Sequence, residues 1–304
     1  MTLAALALLP IALAGASGPR DSLTVNVIPP RARPGDAVLV VVGGTKGPPT
    51  ASVAGRALAF YQVPDGFAAV AGLPVETPAG RLPVTVSPPE AAGARREPVE
   101  AALEISAPAF AHRELRVEGR FVAPPPADVQ KRIDEDRAAF ADAFAQPPSP
   151  PLFATPFTWP RRARVTARFG EERTLNGVKP SQHYGLDLAG KVGAPVSAAN
   201  TGKVVLVRDC WASGLTVVLW HGAGLYTTYF HLSRALVGEG AHVTRGDRIG
   251  LVGKSGRASG PHLHWGVRVG DLYVDPASVL RLPLGRGKPL IMPAARHAPP
   301  PARP

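Results

Sequence analysis

Short apolar runs cut apart by proline and glycine constrain this chain more than any other feature. "LTVNVI" (23–28), "AVLVVV" (37–42), "ALAFYQV" (57–63), "RLPVTVS" (81–87), "EAALEIS" (100–106) and "RELRVEG" (113–119) are each of strand length. Between them stand "PPRARPGD" and "GGTKGPP", and the 304 residues include 32 Gly and 35 Pro. Such punctuation favours short strands and turns over long helical bundles. Residues 22–120 are therefore expected to form an immunoglobulin-like β-sandwich. No cluster of catalytic side chains falls within it, which leaves it a binding, spacing or covering role.

The stretch "APPPADVQKRIDEDRAAFADAFAQPPSPP" (123–151) changes period. Val129, Ile133, Phe140 and Phe144 recur at helical spacing, prolines bound the stretch, and Asp128 is placed to cap a helix start. A connecting helix is expected here, inside a helical and Pro-rich linker over 121–158, with its apolar stripe packed on a domain. From 160 to 280 short strands with glycine turns return, as in "KVVLVRD", "LTVVLWHG" and "LYTTYFHL". That region reads as a compact, nearly all-β domain. The triplet Arg245-Gly246-Asp247 within it reads as a strand–strand turn.

The ends have their own character. "MTLAALALLPIALAGASG" has an apolar run from Leu3 to Leu13 followed by small residues, which predicts a signal peptide over 1–17 and an exported protein, periplasmic, envelope-bound or secreted. The run is too short for a bilayer span, so no transmembrane segment is expected in the mature chain. The stretch 281–304 adds Arg286, Lys288, Arg296 and Arg303 among prolines and reads as a solvated basic tail. The net charge of +11 suits an anionic partner such as an acidic cell-envelope polymer, a membrane surface or nucleic acid. Nucleic acid is disfavoured because no recognition helix, RNA-binding signature or zinc-finger spacing is present. Cys210 is the lone cysteine, so it can form neither an intramolecular disulfide nor a cysteine zinc cluster.

Chemistry concentrates in three pieces of the 160–280 region. In "SGPHLHWGV" (259–267), His262 and His264 are two apart and would share one strand face, either as packed histidines or as half of a metal site. In "SQHYGLDLAG" (181–190), His183 and Asp187 are four apart. A straight strand would separate them by about 13 Å, so a shared ion requires a bend, which Gly185 permits. In "YTTYFHLS" (226–233), His231 ends an aromatic-rich run. Each piece alone is weak evidence. Together they supply a nitrogen–oxygen–nitrogen donor set with two histidines to spare.

H-x-x-x-D, an aromatic-x-H-L strand end and G-P-H-L-H, in that order, resemble the LytM/lysostaphin-type zinc metallopeptidases over about residues 160–280. The resemblance implies a small antiparallel β-sheet domain that binds one Zn2+ and hydrolyses peptide crosslinks or stem peptides of bacterial peptidoglycan. It implies His183, Asp187 and His264 as zinc ligands, and His231 and His262 as catalytic histidines that move protons. Loops at 171–182 and 253–261 are expected to form cleft walls, with Asn176 and Arg257 as candidate substrate contacts. Gly177 stands where some family members carry a tyrosine thought to stabilise the oxyanion, and Trp265 stands where many carry phenylalanine. The alternative is a non-catalytic wall-binding or amidase-activating module of the same type. A swinging-arm carrier domain would leave the five histidine and aspartate positions unexplained.

Overall fold

The computed structural model describes residues 23–89 and 97–285. The expected signal peptide over 1–17 and residues 286–304 of the expected tail lie outside the described residues.

Strands dominate. In the N-terminal part, strands Thr24–Ile28, Ala37–Gly43, Gly66–Gly72 and Tyr61–Val63 form one sheet in that order. Strands Arg31–Ala32, Val99–Ile105, Gly80–Ser87, Thr50–Val53 and Arg56–Ala57 form a second. Val38, Val40 and Val42 from the first meet Val84, Val86, Leu103 and Ile105 from the second in one core.

Strand Ala37–Gly43 is buried along its entire length. Its even-numbered valines face the second sheet, while Ala37, Leu39 and Val41 join a larger core with Val267, Val269, Val274 and Val279 from the C-terminal part. A strand covered on both sides reads as a continuous apolar run, which is why "AVLVVV" shows no polar alternation. Hydrogen bonds reinforce this junction: Asp275 N donates to Gly35 O at 2.7 Å, and Ala37 N donates to Ser278 Oγ at 2.8 Å. The two halves share a core.

The C-terminal part is a ten-stranded antiparallel sheet. Its main path runs Val165–Ala167, Leu186–Ala189, His262–Val269, Leu225–Ala235, Gly214–Trp220, Gly202–Cys210 and His242–Val243. Leu188, Leu219, Leu263, Trp265 and Val267 are fully buried on its packed side. The Arg245-Gly246-Asp247 triplet turns the chain between strands His242–Val243 and Arg248–Val252, with Gly246 at φ +97°.

Helix Ala127–Phe144 connects the two parts in sequence and packs on the large sheet. Ala139, Phe140, Ala143 and Phe144 pack on Leu206, Val218 and Tyr226 of the large sheet. Asp136, buried on the same side, accepts from Arg208 Nε and from Trp211 N, both at 2.7 Å.

The structure departs from the sequence reading in four places. The run 113–119 does not belong to the sandwich. Its strand, His112–Leu115, pairs in parallel with Glu172–Leu175, which pairs in turn with Lys179–Gln182. Alternation identifies a strand but not its partner. The run 57–63 is two strands in different sheets, because a chain crossing between facing sheets gives up ladder bonds at the crossing. Asp128 is not the cap: Pro126 precedes the first helical residue, and Asp128 sits exposed in the first turn, where its charge complements the helix dipole. Finally, residues 281–285 are not a solvated extension, since Leu282 and Leu284 are buried in the larger core.

Candidate metal centre

Strand register assembles most of the site. Leu186–Ala189 pairs with His262–Val269 so that Asp187 stands opposite His264. On the other side of His262–Val269, Phe230 stands opposite His264. Period-2 alternation therefore places Asp187, His264 and Phe230 across one face, while Leu188, Leu263 and Tyr229 fill the core behind them. The Phe230 ring stacks on His264 with centroids 5.1 Å apart and planes at 6°.

His183 reaches the same face by the bend its spacing requires. It lies between strands Lys179–Gln182 and Leu186–Ala189, with His183 N donating to Glu171 O at 3.0 Å. Gly185 follows two residues later. A methyl group there would sit 2.5 Å from His264 Nε2, so glycine is needed for close approach.

Three donor atoms converge. His183 Nε2, Asp187 Oδ1 and His264 Nδ1 form a triangle with every edge 2.9 Å. His183 Nδ1 lies 2.7 Å from Arg168 O, a carbonyl that can only accept, so Nδ1 carries the proton and Nε2 presents its lone pair. That backbone anchor is the one metal-binding histidines commonly use. Burial opposes the charge on Asp187, but the imidazoles of His183 and His264 against Oδ1 outweigh it and hold the carboxyl well below its usual range. Burial pulls His264 down to about 4, so it is a neutral donor at pH 7. Two imidazole nitrogens and one carboxylate oxygen within reach of one ion form a donor set that suits Zn2+.

The other two histidines flank the triangle. His231 Nδ1 lies 2.8 Å from Ser255 O and His262 Nδ1 lies 2.8 Å from Gly260 O, so each keeps a basic Nε2. Their ring centroids are 4.8 Å apart. His231 is buried, which depresses its pKa to about 3, with the neighbouring histidines His262 and His264 adding to the effect. The Leu225–Ala235 strand is irregular at this point. Its registers with Gly214–Trp220 and with Arg248–Val252 both shift near Leu232, and His231 has φ +59°. Regular alternation would send His231 to the core side with Tyr229. The irregularity instead turns Phe230 and His231 into the same cleft.

All five side chains line one cleft of about 450 Å³. Arg257 lines it as well. Asn176 does not: it occupies a hairpin turn at φ +51°, followed by Gly177 at φ +73°. Its Oδ1 accepts from Val117 N at 2.9 Å and its Nδ2 donates to Val117 O at 3.0 Å. Its polar atoms are spent on holding the turn. The segment 171–182 is correspondingly a hairpin and not a loop, and Asn-Gly is the sequence signal for such a turn.

Two contributors were not anticipated from the sequence. In the sequence Phe230 is one member of an aromatic run. Arg173 donates to Asp187 Oδ2 at 3.2 Å and to Glu171 at 2.8 Å, occupying the carboxylate oxygen that does not face the histidines. No spacing motif links Arg173 to Asp187. Only the hairpin brings the two together.

The remaining described histidines lie apart from the cleft. His112 and His242 are exposed, and His221 is fully buried between Thr201 O and the Thr227 hydroxyl, both at 2.8 Å. His297 lies outside the described residues. Cys210 is buried, and Trp265 is fully buried as a packing residue.

Comparison with known proteins agrees with this geometry. Residues 181–276 match the sequence profile of peptidase family M23. Peptidoglycan DD-endopeptidase ShyA of Vibrio cholerae is 42% identical over 104 residues, covering 34% of this chain and 24% of the relative. DD-carboxypeptidase/endopeptidase Mpg of Neisseria meningitidis is 39% identical over 97 residues, covering 32% of this chain and 22% of the relative. The chain thus spans about a quarter of the length of the curated relatives it matches. A crystal structure from Pseudomonas aeruginosa assigned to peptidase M23 superposes with a TM-score of 0.60 at 28% identity, over 84% of this chain and 95% of that one. Residues 181–276 are a peptidase family M23 domain.

Proposed function

We propose that the chain is a zinc-dependent endopeptidase that hydrolyses peptide bonds of bacterial peptidoglycan. The observation that carries this reading is the convergence of three metal donors and two further histidines in one cleft. The named activities of the peptidoglycan-cleaving relatives support the substrate class. His183, Asp187 and His264 would hold the ion. Zinc bound there supplies Lewis acidity, polarising a carbonyl and acidifying water. His231 is neutral at pH 7, and its Nε2 accepts a proton from the attacking water. The Nε2 atoms of His231 and His262 then exchange that proton with the departing amine. Phe230 stacks on His264 and fixes the plane of its ring.

Export follows from such a substrate, and a periplasmic, envelope or secreted location fits it. Among the described residues no helix is long and apolar enough to cross a membrane. The strand order of the two N-terminal sheets, with the chain switching sheets between Thr24–Ile28 and Arg31–Ala32, supports reading them as an immunoglobulin-like sandwich. We therefore read 22–120, less the strand His112–Leu115, as that domain, 121–158 as the linker and 160–280 as the peptidase. Its contacts with the peptidase core support a covering or spacing role.

Metal analysis and product analysis test the proposal together. The full chain should hold close to one zinc, His264→Ala should lose it, and digestion of defined muropeptides should release new free amines. Intact muropeptides from zinc-loaded protein would favour the non-catalytic, wall-binding alternative.

A further inference from the structure

Three guanidinium groups line the cleft: Arg113, Arg173 and Arg257. Two of them already have counter-ions. Arg113 lies 3.2 Å from Glu171 Oε2, and Arg173 bridges Glu171 and Asp187. The side chain of Arg257 has neither a hydrogen bond nor an ion pair among the described residues. It is nonetheless half-buried. Burial pulls its pKa below the ordinary arginine value, and the like charge of Arg173 adds to this. A cation partly removed from water without a partner is destabilised, so the arrangement favours an anion entering the cleft.

The position of Arg257 is fixed by its backbone. Arg257 N donates to Ala212 O at 2.7 Å. Two residues earlier, Ser255 Oγ accepts from Leu215 N at 2.9 Å and donates to Leu232 O at 2.8 Å. Ser255 O is also the acceptor that orients His231. Gly256 between them packs so tightly that a methyl group would sit 2.3 Å from Gly214 N. The same anchored turn therefore positions both the guanidinium and the proton-accepting histidine.

We infer that Arg257 is a specificity-determining residue that binds a carboxylate on the peptide entering the cleft, so that acidic peptides are preferred over their amidated counterparts. A planar fork of N–H donors matches a carboxylate in two parallel bonds, which a carboxamide cannot reproduce with the same charge. The carboxylate can be an acidic side chain or a chain terminus. The inference takes from the proposed function only what then happens to the bound peptide.

Calorimetric titration of the full chain with four short peptides tests it: one with an acidic side chain, one with a free C-terminus, and the amide of each. The wild-type chain should bind the acid of at least one pair about 10- to 100-fold more tightly than its amide. The pair showing the difference identifies the source. Arg257→Gln should bind acid and amide alike, and Arg257→Lys should recover part of the preference. Equal binding of acid and amide in both pairs by wild type, or an undiminished preference in Arg257→Gln, overturns the assignment. Cleavage of the same peptides is followed in parallel. Acid preference without cleavage would count against the peptidase and not against Arg257, whereas cleavage without preference would do the reverse.

Discussion

With φ at +59°, His231 holds a conformation that a non-glycine strand residue normally avoids, at a cost of order 1–3 kcal/mol. The cost has a visible return, since it turns the imidazole away from the core and into the cleft. Two variants separate the backbone from the side chain. Both His231→Ala and His231→Gly should keep zinc and lose about 100- to 10,000-fold in hydrolysis, measured on muropeptides. Between them, His231→Gly should be the more stable by about 1 kcal/mol in thermal unfolding, because only glycine adopts that φ freely. The histidines and Asp187 are legible in the sequence through the ordered resemblance of their three motifs to a known family, with which the period-2 spacing and the glycine bend are compatible. The aim of His231 is not, because it depends on a register shift between strands that no single segment encodes. Arg173 stayed hidden for the same reason: its contact with Asp187 exists only after two hairpins meet.

The cleft wall depends on how its elements pair. The hairpin Glu172–Gln182 carries Arg173 and is held from outside by the parallel strand His112–Leu115. Its tip is tied to Val117 through Asn176. Asn176→Ala should therefore lower stability by about 1–2 kcal/mol in denaturant unfolding and leave KM unchanged. A raised KM with unaltered stability would return Asn176 to the list of substrate contacts. Strand positions were legible from apolar alternation, as was the helix Ala127–Phe144 from its period of 3.6. Partners were less legible. The segment 112–115 has a strand's pattern and no mark that assigns it to the hairpin over the nearer sandwich.

Across the whole molecule, burial couples regions that are distant in sequence. Leu39, from the N-terminal sheet, packs into the core of the peptidase half. Leu39→Ala should cost about 2–5 kcal/mol, and calorimetry should show one transition that moves as a unit. Separate transitions, only one of them shifted, would show that the halves unfold independently. His221 adds a pH dependence. Burial holds its folded pKa at about 4, below the value of about 6.5 expected when unfolded. The unfolded chain therefore takes up the proton first. Stability from this residue is full above pH 6.5, falls as the pH drops towards 4, and levels off below that after a loss of about 3 kcal/mol. The slope of unfolding free energy between pH 7 and 4 should be shallower in His221→Gln.

Strand Ala37–Gly43 has a consequence for how such a chain can be rearranged. With both faces covered, it is an internal wall and not the outer skin of a detachable module. Cutting the protein at the linker would strip one side of that wall bare and expose an apolar surface on each fragment. Grafting this peptidase onto another carrier would therefore require new polar residues at Val267, Val269 and Val274, or a replacement sheet to cover them.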